Sequence, residues 1–146
     1  MAEQLSEKTK PRTRRKTLYI ILGVVAAIAV TAYSYLFVQM HAASAALRQY
    51  AQALVSEDYE RAYNLTNPDF KEAMSETQFV EQQTALETRL GRLRAVKVGP
   101  SETEGNQSGW SSTVSANFEF EHGSLEFVFV MKKDGSSWGV YSYREQ

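Results

Sequence analysis

The hydrophobic pattern changes character along the chain. From Leu18 to Val38 the sequence LYIILGVVAAIAVTAYSYLFV runs 21 residues without a charge. A helix of that length is roughly 31 Å long, about the hydrocarbon thickness of a bilayer. A cleaved signal peptide has a shorter apolar core followed by small residues. Ala27-Ile28-Ala29 has that form, but apolar sequence continues well past it. A buried core helix would show a polar face, and this run has none. The pattern predicts an uncleaved transmembrane helix over 17–39. Tyr19 stands at one end and Tyr33, Tyr35 and Phe37 at the other, where interfacial aromatics belong.

Past the apolar run the period is helical but one-sided. Leu47, Tyr50, Ala51, Leu54 and Val55 follow the i, i+3, i+4 spacing of a buried face. Ser56-Glu57-Asp58 breaks this helix and caps a second, Tyr59–Leu65, with Tyr59, Ala62 and Tyr63 on one side. Asn67-Pro68 is an N-cap followed by proline at the first helical position. Ser75-Glu76-Thr77-Gln78 matches a capping box. Phe79, Gln83, Leu86 and Leu90 run down one face of the helix it opens, and Gly91 ends that helix.

After Gly91 the period becomes two. Leu93–Val98 reads as a first strand and Pro100–Gly109 as a polar, mobile loop. Trp110–Glu121, Ser124–Lys132 and Trp138–Arg144 then alternate cleanly. Two-residue turns at His122-Gly123 and Asp134-Gly135 would pair Phe118 with Phe127, Phe129 with Val140 and Val128 with Tyr141, and would set Glu119 opposite Glu126. One face then carries Val114, Ala116, Phe118, Phe120, Leu125, Phe127, Phe129, Met131, Trp138 and Val140. The other is polar except for Val128, Val130, Tyr141 and Tyr143.

Helices followed by a meander of strands with one apolar face predict an α+β fold. A single transmembrane helix precedes helices packed on a curved antiparallel sheet of about four strands. The helical stretch ALVSEDYERAYNLTNPDFKEAMSETQF carries Asp58-Tyr59, Ala62-Tyr63, Phe70, Thr77 and Phe79. On these residues, residues 41–144 resemble membrane-anchored members of the nuclear-transport-factor-2-like superfamily. The resemblance implies a cone of sheet closed by helices and domains that often pair through the outer sheet face. The superfamily hosts enzymes, binding modules and assembly domains, so it implies no one activity.

Charge adds a direction. Residues 1–16 hold six Lys/Arg against two Glu, a net +4, and the remainder holds ten against fifteen acids, a net −5. The basic cluster ends beside the apolar run. The positive-inside rule therefore predicts a cytoplasmic arm over 1–16 and an extracytoplasmic domain over 40–146 in a cell membrane. The acidic domain has no footprint for nucleic acid. There are no cysteines, hence no disulfide and no thiolate chemistry or ligation.

Candidate chemistry is sparse. Isomerases of the resembled superfamily need an acid or base inside the cone. The predicted inner face offers only Ser112 and Ser142 among apolar side chains, and an isolated serine without a base is no nucleophile. His41 and His122 lie far apart in the expected topology, so neither a metal site nor a triad is expected. Tyr50, Tyr59 and Tyr63 are candidates for a pocket rim, and otherwise amphipathic core residues. Val128, Val130, Tyr141 and Tyr143 are candidates for an interface, and otherwise ordinary strand formers. No catalytic residue, cofactor or metal is expected. The expected role is a non-catalytic interaction or assembly module with a protein partner or a second copy. The alternative is an apolar small molecule held inside the cone.

Overall fold

The structure is a computed structural model, and it describes residues 12–146. The first eleven residues of the basic arm lie outside the described residues. The chain divides into two compact units, one ending at Phe37 and one from Val38 to Gln146. Helix α1 (Arg12–Val55) contributes to both.

The first unit is apolar helix. Its richest window has a mean hydropathy of 2.2 and none of it is buried, so α1 is long and apolar enough to cross a membrane. Two of its hydroxyls are satisfied within the helix. Thr31 Oγ1 donates to the Ala27 carbonyl at 2.8 Å and Ser34 Oγ to the Val30 carbonyl at 2.8 Å.

In the second unit the helical pattern turns one-sided and its apolar stripe is buried. Ala43, Leu47, Tyr50, Ala51 and Leu54 of α1 are covered. The helix stops at a turn where Glu57 takes a positive φ of 59°. Short helices α2 (Tyr59–Asn64) and α3 (Pro68–Ala73) follow, then α4 (Glu76–Leu90). The caps are those the sequence predicts. Asp58 accepts from the Arg61 amide, Asn67 from the Asp69 amide, and Ser75 with Gln78 forms a complete capping box. Gly91 ends α4 at φ 78° and ψ −175°. That region is open essentially to glycine alone, and an added Cβ would stand 2.7 Å from Glu121 Cβ.

Four antiparallel strands form one sheet in chain order: β1 (Leu93–Asn106), β2 (Gly109–Phe120), β3 (Gly123–Asp134) and β4 (Ser137–Glu145). The helices cover one face. Phe118, Phe127 and Phe129 lie at its centre with ring centroids 5.0–6.2 Å apart, and Tyr50 of α1 meets Phe129 edge-on at 5.9 Å. Each such pair adds about 0.5–1.5 kcal/mol beyond the area it buries. This is the predicted α+β arrangement.

The details of pairing differ from the predicted ones. Both tight turns sit one residue earlier or later than expected. Phe120 faces Gly123, so the first loop is Glu121-His122; Asp134 faces Ser137, so the second is Gly135-Ser136. Moving a two-residue loop by one position shifts partners by two, which leaves every side chain on its expected face. The first loop is held where it is by the end of α4: the His122 amide donates to the Leu90 carbonyl at 2.9 Å and the Glu121 amide to the Arg92 carbonyl at 3.0 Å. Glu119 now faces Ser124 rather than Glu126, and it pairs instead with Lys97.

Two further departures change faces or lengths. Pro100–Gly109 is not a loop, because β1 continues to Asn106. Pro100 is accommodated at a register break between Val98 and Ser101, on an edge strand where its missing N–H is tolerated. Between β3 and β4 the register breaks at Val130/Met131 and leaves Tyr141 of β4 unpaired, so parity inverts after it. Phe129 then faces Tyr143 and Val130 faces Ser142, which sends Tyr143 inward and Ser142 outward.

Candidate functional site

Two places can be weighed as sites. The first is the space between the helices and the sheet, where an apolar ligand would sit. Tyr50 is 1% exposed there, and burial pushes its pKa well above the ordinary tyrosine value. Tyr143 reaches the same space from β4, stacking on Phe70 at 6.1 Å and meeting Phe129 at 5.5 Å. Its hydroxyl donates to Gln82 Oε1 at 3.1 Å, and burial raises its pKa against the opposing effect of the Gln83 amide. Leu54, Gln83 and Leu86 complete the lining, and the volume left among them is about 10 Å³. That is at the lower limit for a single water molecule.

The three tyrosines proposed as a rim do not share an opening. Tyr59 donates from its hydroxyl to Glu87 Oε1 at 2.7 Å, and burial together with that carboxylate raises its pKa. Tyr63 donates to the Met74 carbonyl at 2.8 Å. Both hydroxyls therefore fasten helix to helix. Of the outer-face candidates, Val128 and Val130 keep that face, two residues apart on β3. Val128 faces Arg144 rather than Tyr141 and is 9% exposed. Tyr141 lies under the Lys132 ammonium, 3.4 Å from its ring centre, and Tyr143 has moved inside. Val130 remains half-buried on the outer face.

The second place was not legible as a site in the sequence. At the end of the sheet where two hairpins turn, an open cleft of about 370 Å³ lies between the start of α3 and the strand ends. Asn67, Asp69, Trp110, Ser111, Lys132 and Asp134 line it. Three features build it. Thr66 bridges to Val140, and the Asn67 amide donates to the Val140 carbonyl at 2.7 Å, laying residues 65–67 along β4. Gly139 permits that approach, since a Cβ there would stand 2.8 Å from the Asn67 nitrogen. Lys132 Nζ then lies 3.6 Å from Asp69 Oδ2. Nearby, Lys133 Nζ donates to Gln39 Oε1 at 3.1 Å, and Thr103 donates to the buried Ser112 at 3.0 Å. The one available signal was the Lys133-Asp134-Gly135-Ser136 turn, which predicted a hairpin and not what its far side would meet.

Among the described residues no group of three or more His, Asp or Glu is placed to hold a metal ion. Trp138 Nε1 is a buried donor without a partner.

One family profile, described as a protein of unknown function (DUF3887), matches residues 48–136. The chain belongs to the DUF3887 family. The match begins within α1 and ends in the β3–β4 turn, so it takes in the helical layer and most of the sheet. No curated protein matches this DUF3887 chain. Among solved structures, Bd1075 of Bdellovibrio bacteriovorus is similar in fold, with a TM-score of 0.50 at 11% identity, covering 68% of this chain. The matched region is 37% of the Bd1075 chain. At that identity the likeness is one of fold alone.

Proposed function

We propose that this chain is a single-pass, membrane-anchored accessory module. Its C-terminal α+β domain acts on the extracytoplasmic side as a non-catalytic binding or assembly unit. The observation that carries the reading is the filled interior. With about 10 Å³ left between Tyr50, Phe129 and Tyr143, a compound of ordinary ligand size, needing ~300 Å³ or more, has no place there. Neither carboxylate nor imidazole lines that space. The proton-bearing groups that do line it, the Tyr50 and Tyr143 hydroxyls, have their pKa raised by burial, away from the range near the working pH where general acid–base catalysis is efficient.

Anchoring is supported by the apolar run in α1 and direction by the basic arm before it. The domain is proposed as a filled variant of the nuclear-transport-factor-2-like cone, and its partner as a protein, a second copy of this chain or another component at the membrane surface.

Alkaline carbonate extraction, protease shaving and crosslinked pull-down in native membranes test this together. The expected result is a chain retained in the membrane, with its C-terminal domain cleaved from outside and a crosslinked partner recovered. Release by carbonate, or a domain protected in intact spheroplasts, overturns the placement. A chain crosslinked to nothing, with turnover of an apolar compound by the purified protein, overturns the role.

A further inference from the structure

We propose that the cleft between α3 and the hairpin ends binds a neutral, polyhydroxylated ligand, a short segment of an oligosaccharide chain. The proposal rests on reading the domain as a binding module, and it names the ligand class.

The size is right for a small ligand. About 370 Å³ is inside the usual range for small-molecule sites, against about 10 Å³ in the interior. The chemistry of the lining then narrows the class. Asn67 contributes an amide, Ser111 a hydroxyl, Asp69 and Asp134 carboxylates, and Lys132 an ammonium. This set donates and accepts hydrogen bonds in both directions, as a surface of many hydroxyls requires.

Charge excludes the anionic alternatives. Lys132 lies 3.6 Å from Asp69, and the other two charged side chains of the lining, Lys133 and Asp134, are again one of each sign. A phosphate or a strongly acidic segment would gain an ammonium and meet a carboxylate beside it. A peptide would need pockets for its side chains. The apolar side chains in the lining are Pro68 and Trp110, and they provide no such pocket.

Trp110 supplies what a sugar ring requires besides hydroxyl partners, namely a flat apolar surface for its C–H face. Its orientation is fixed by the strand opposite. Trp110 faces Gly105 across β1 and β2, and a Cβ on Gly105 would stand 2.9 Å from Trp110 Cζ3. The six-membered ring is therefore seated on bare backbone while the side chain borders the cleft. A larger residue at 105 would displace the ring.

The test uses the full-length chain in phospholipid nanodiscs, which avoids sugar-based detergents. Chitohexaose and cellohexaose serve as uncharged probes, and an acidic hexapeptide as the contrast, each titrated by saturation-transfer NMR. Saturable binding of at least one oligosaccharide is expected, with Kd in the roughly millimolar range or tighter, and none of the peptide. Asp69→Asn keeps the shape at an exposed position, and it should weaken binding about tenfold by removing a charged acceptor. Trp110→Ala should abolish binding, with the thermal transition confirming that the domain is folded. The proposal fails if neither oligosaccharide binds, if both variants bind like the wild type, or if the peptide binds instead. None of these results alters membrane retention or partner crosslinking, so failure here is distinguishable from failure of the module reading.

Discussion

The central strands and the flanking strands of the sheet obey different rules. β2 and β3 hold ten consecutive partners, from Ser111 with Lys132 to Phe120 with Gly123, without a break. β1 breaks register after Leu93 and after Val98, and β4 breaks at Tyr141. A central strand is held by ladders on both sides, and one slip would turn its whole apolar set toward water. A flanking strand has one ladder and can give up a residue to a bulge that re-aims the side chains beyond it. The interior owes its uniform apolar face to the central pair. The re-aimed Tyr143 comes from a flank, and so does the Gly139 that lets Asn67 approach the cleft.

The largest test of this contrast is in the core. Phe129→Ala should cost about 3–5 kcal/mol, a large share of the stability of a domain this size. Val96→Ala, on the same face but in flanking β1, should cost about 0.5–2 kcal/mol. Denaturant unfolding of the full-length chain in micelles measures both, and equal losses would break the distinction.

Glycines sharpen it. Gly139→Ala places a Cβ 2.8 Å from the Asn67 nitrogen and should cost roughly 1–3 kcal/mol, opening the cleft wall as it does so. Gly123→Ala, at the start of central β3, meets only Leu90 Cδ2 at 3.7 Å and should stay within about 0.5 kcal/mol. Reversal of that order in thermal melts would mean that residues 65–67 do not lie along β4.

A smaller effect reports on the β4 break alone. Tyr143→Phe keeps the ring in the core and removes the hydroxyl that donates to Gln82, for about 0.5–1.5 kcal/mol. No change in stability, with Tyr143 readily iodinated in the folded chain, would return this residue to the outer face.

The smallest concerns the first loop. Glu121 accepts from the Arg92 amide and pairs with Arg94, which holds its carboxyl below the usual value of 4.5. A depressed carboxylate contributes stability above its unfolded pKa and loses it as pH falls through the folded one. The wild type should therefore lose stability more steeply than Glu121→Gln as pH drops below about 4.5, and the two should run parallel above it. Parallel curves throughout would show that this loop is not tied to the end of α4.

Much of the architecture was legible because it is written in local chemistry. Asn67-Pro68 and the Ser75–Gln78 box declare helix starts by their own hydrogen bonds, and the caps formed as read. The inner face of β2 and β3 was legible because alternation survives any two-residue error in a loop. Tyr143 was not, because the unpaired residue at Tyr141 leaves no mark on the period before it. Nor was the extension of β1, whose Ser, Glu and Gly content suits a loop and whose pairing is supplied by β2. The cleft escaped for a related reason. Asn67 and Trp110 are far apart in sequence, and only the close approach at Gly139 puts the start of α3 beside the strand ends.

The way residues 65–67 lie on β4 has a consequence for how this chain behaves among its own copies. A sheet edge with a free ladder is a template for another strand, and proteins that leave one bare tend to polymerise. Here the Val140 carbonyl is occupied by the Asn67 amide, and its own amide points to the Leu65 carbonyl. At the opposite margin, Pro100 offers no N–H, and the strand jogs at two places. Neither side of the sheet is a straight run of open hydrogen-bonding groups. A neighbouring copy cannot lengthen the sheet unless it first peels Thr66 away or straightens the kink at Pro100.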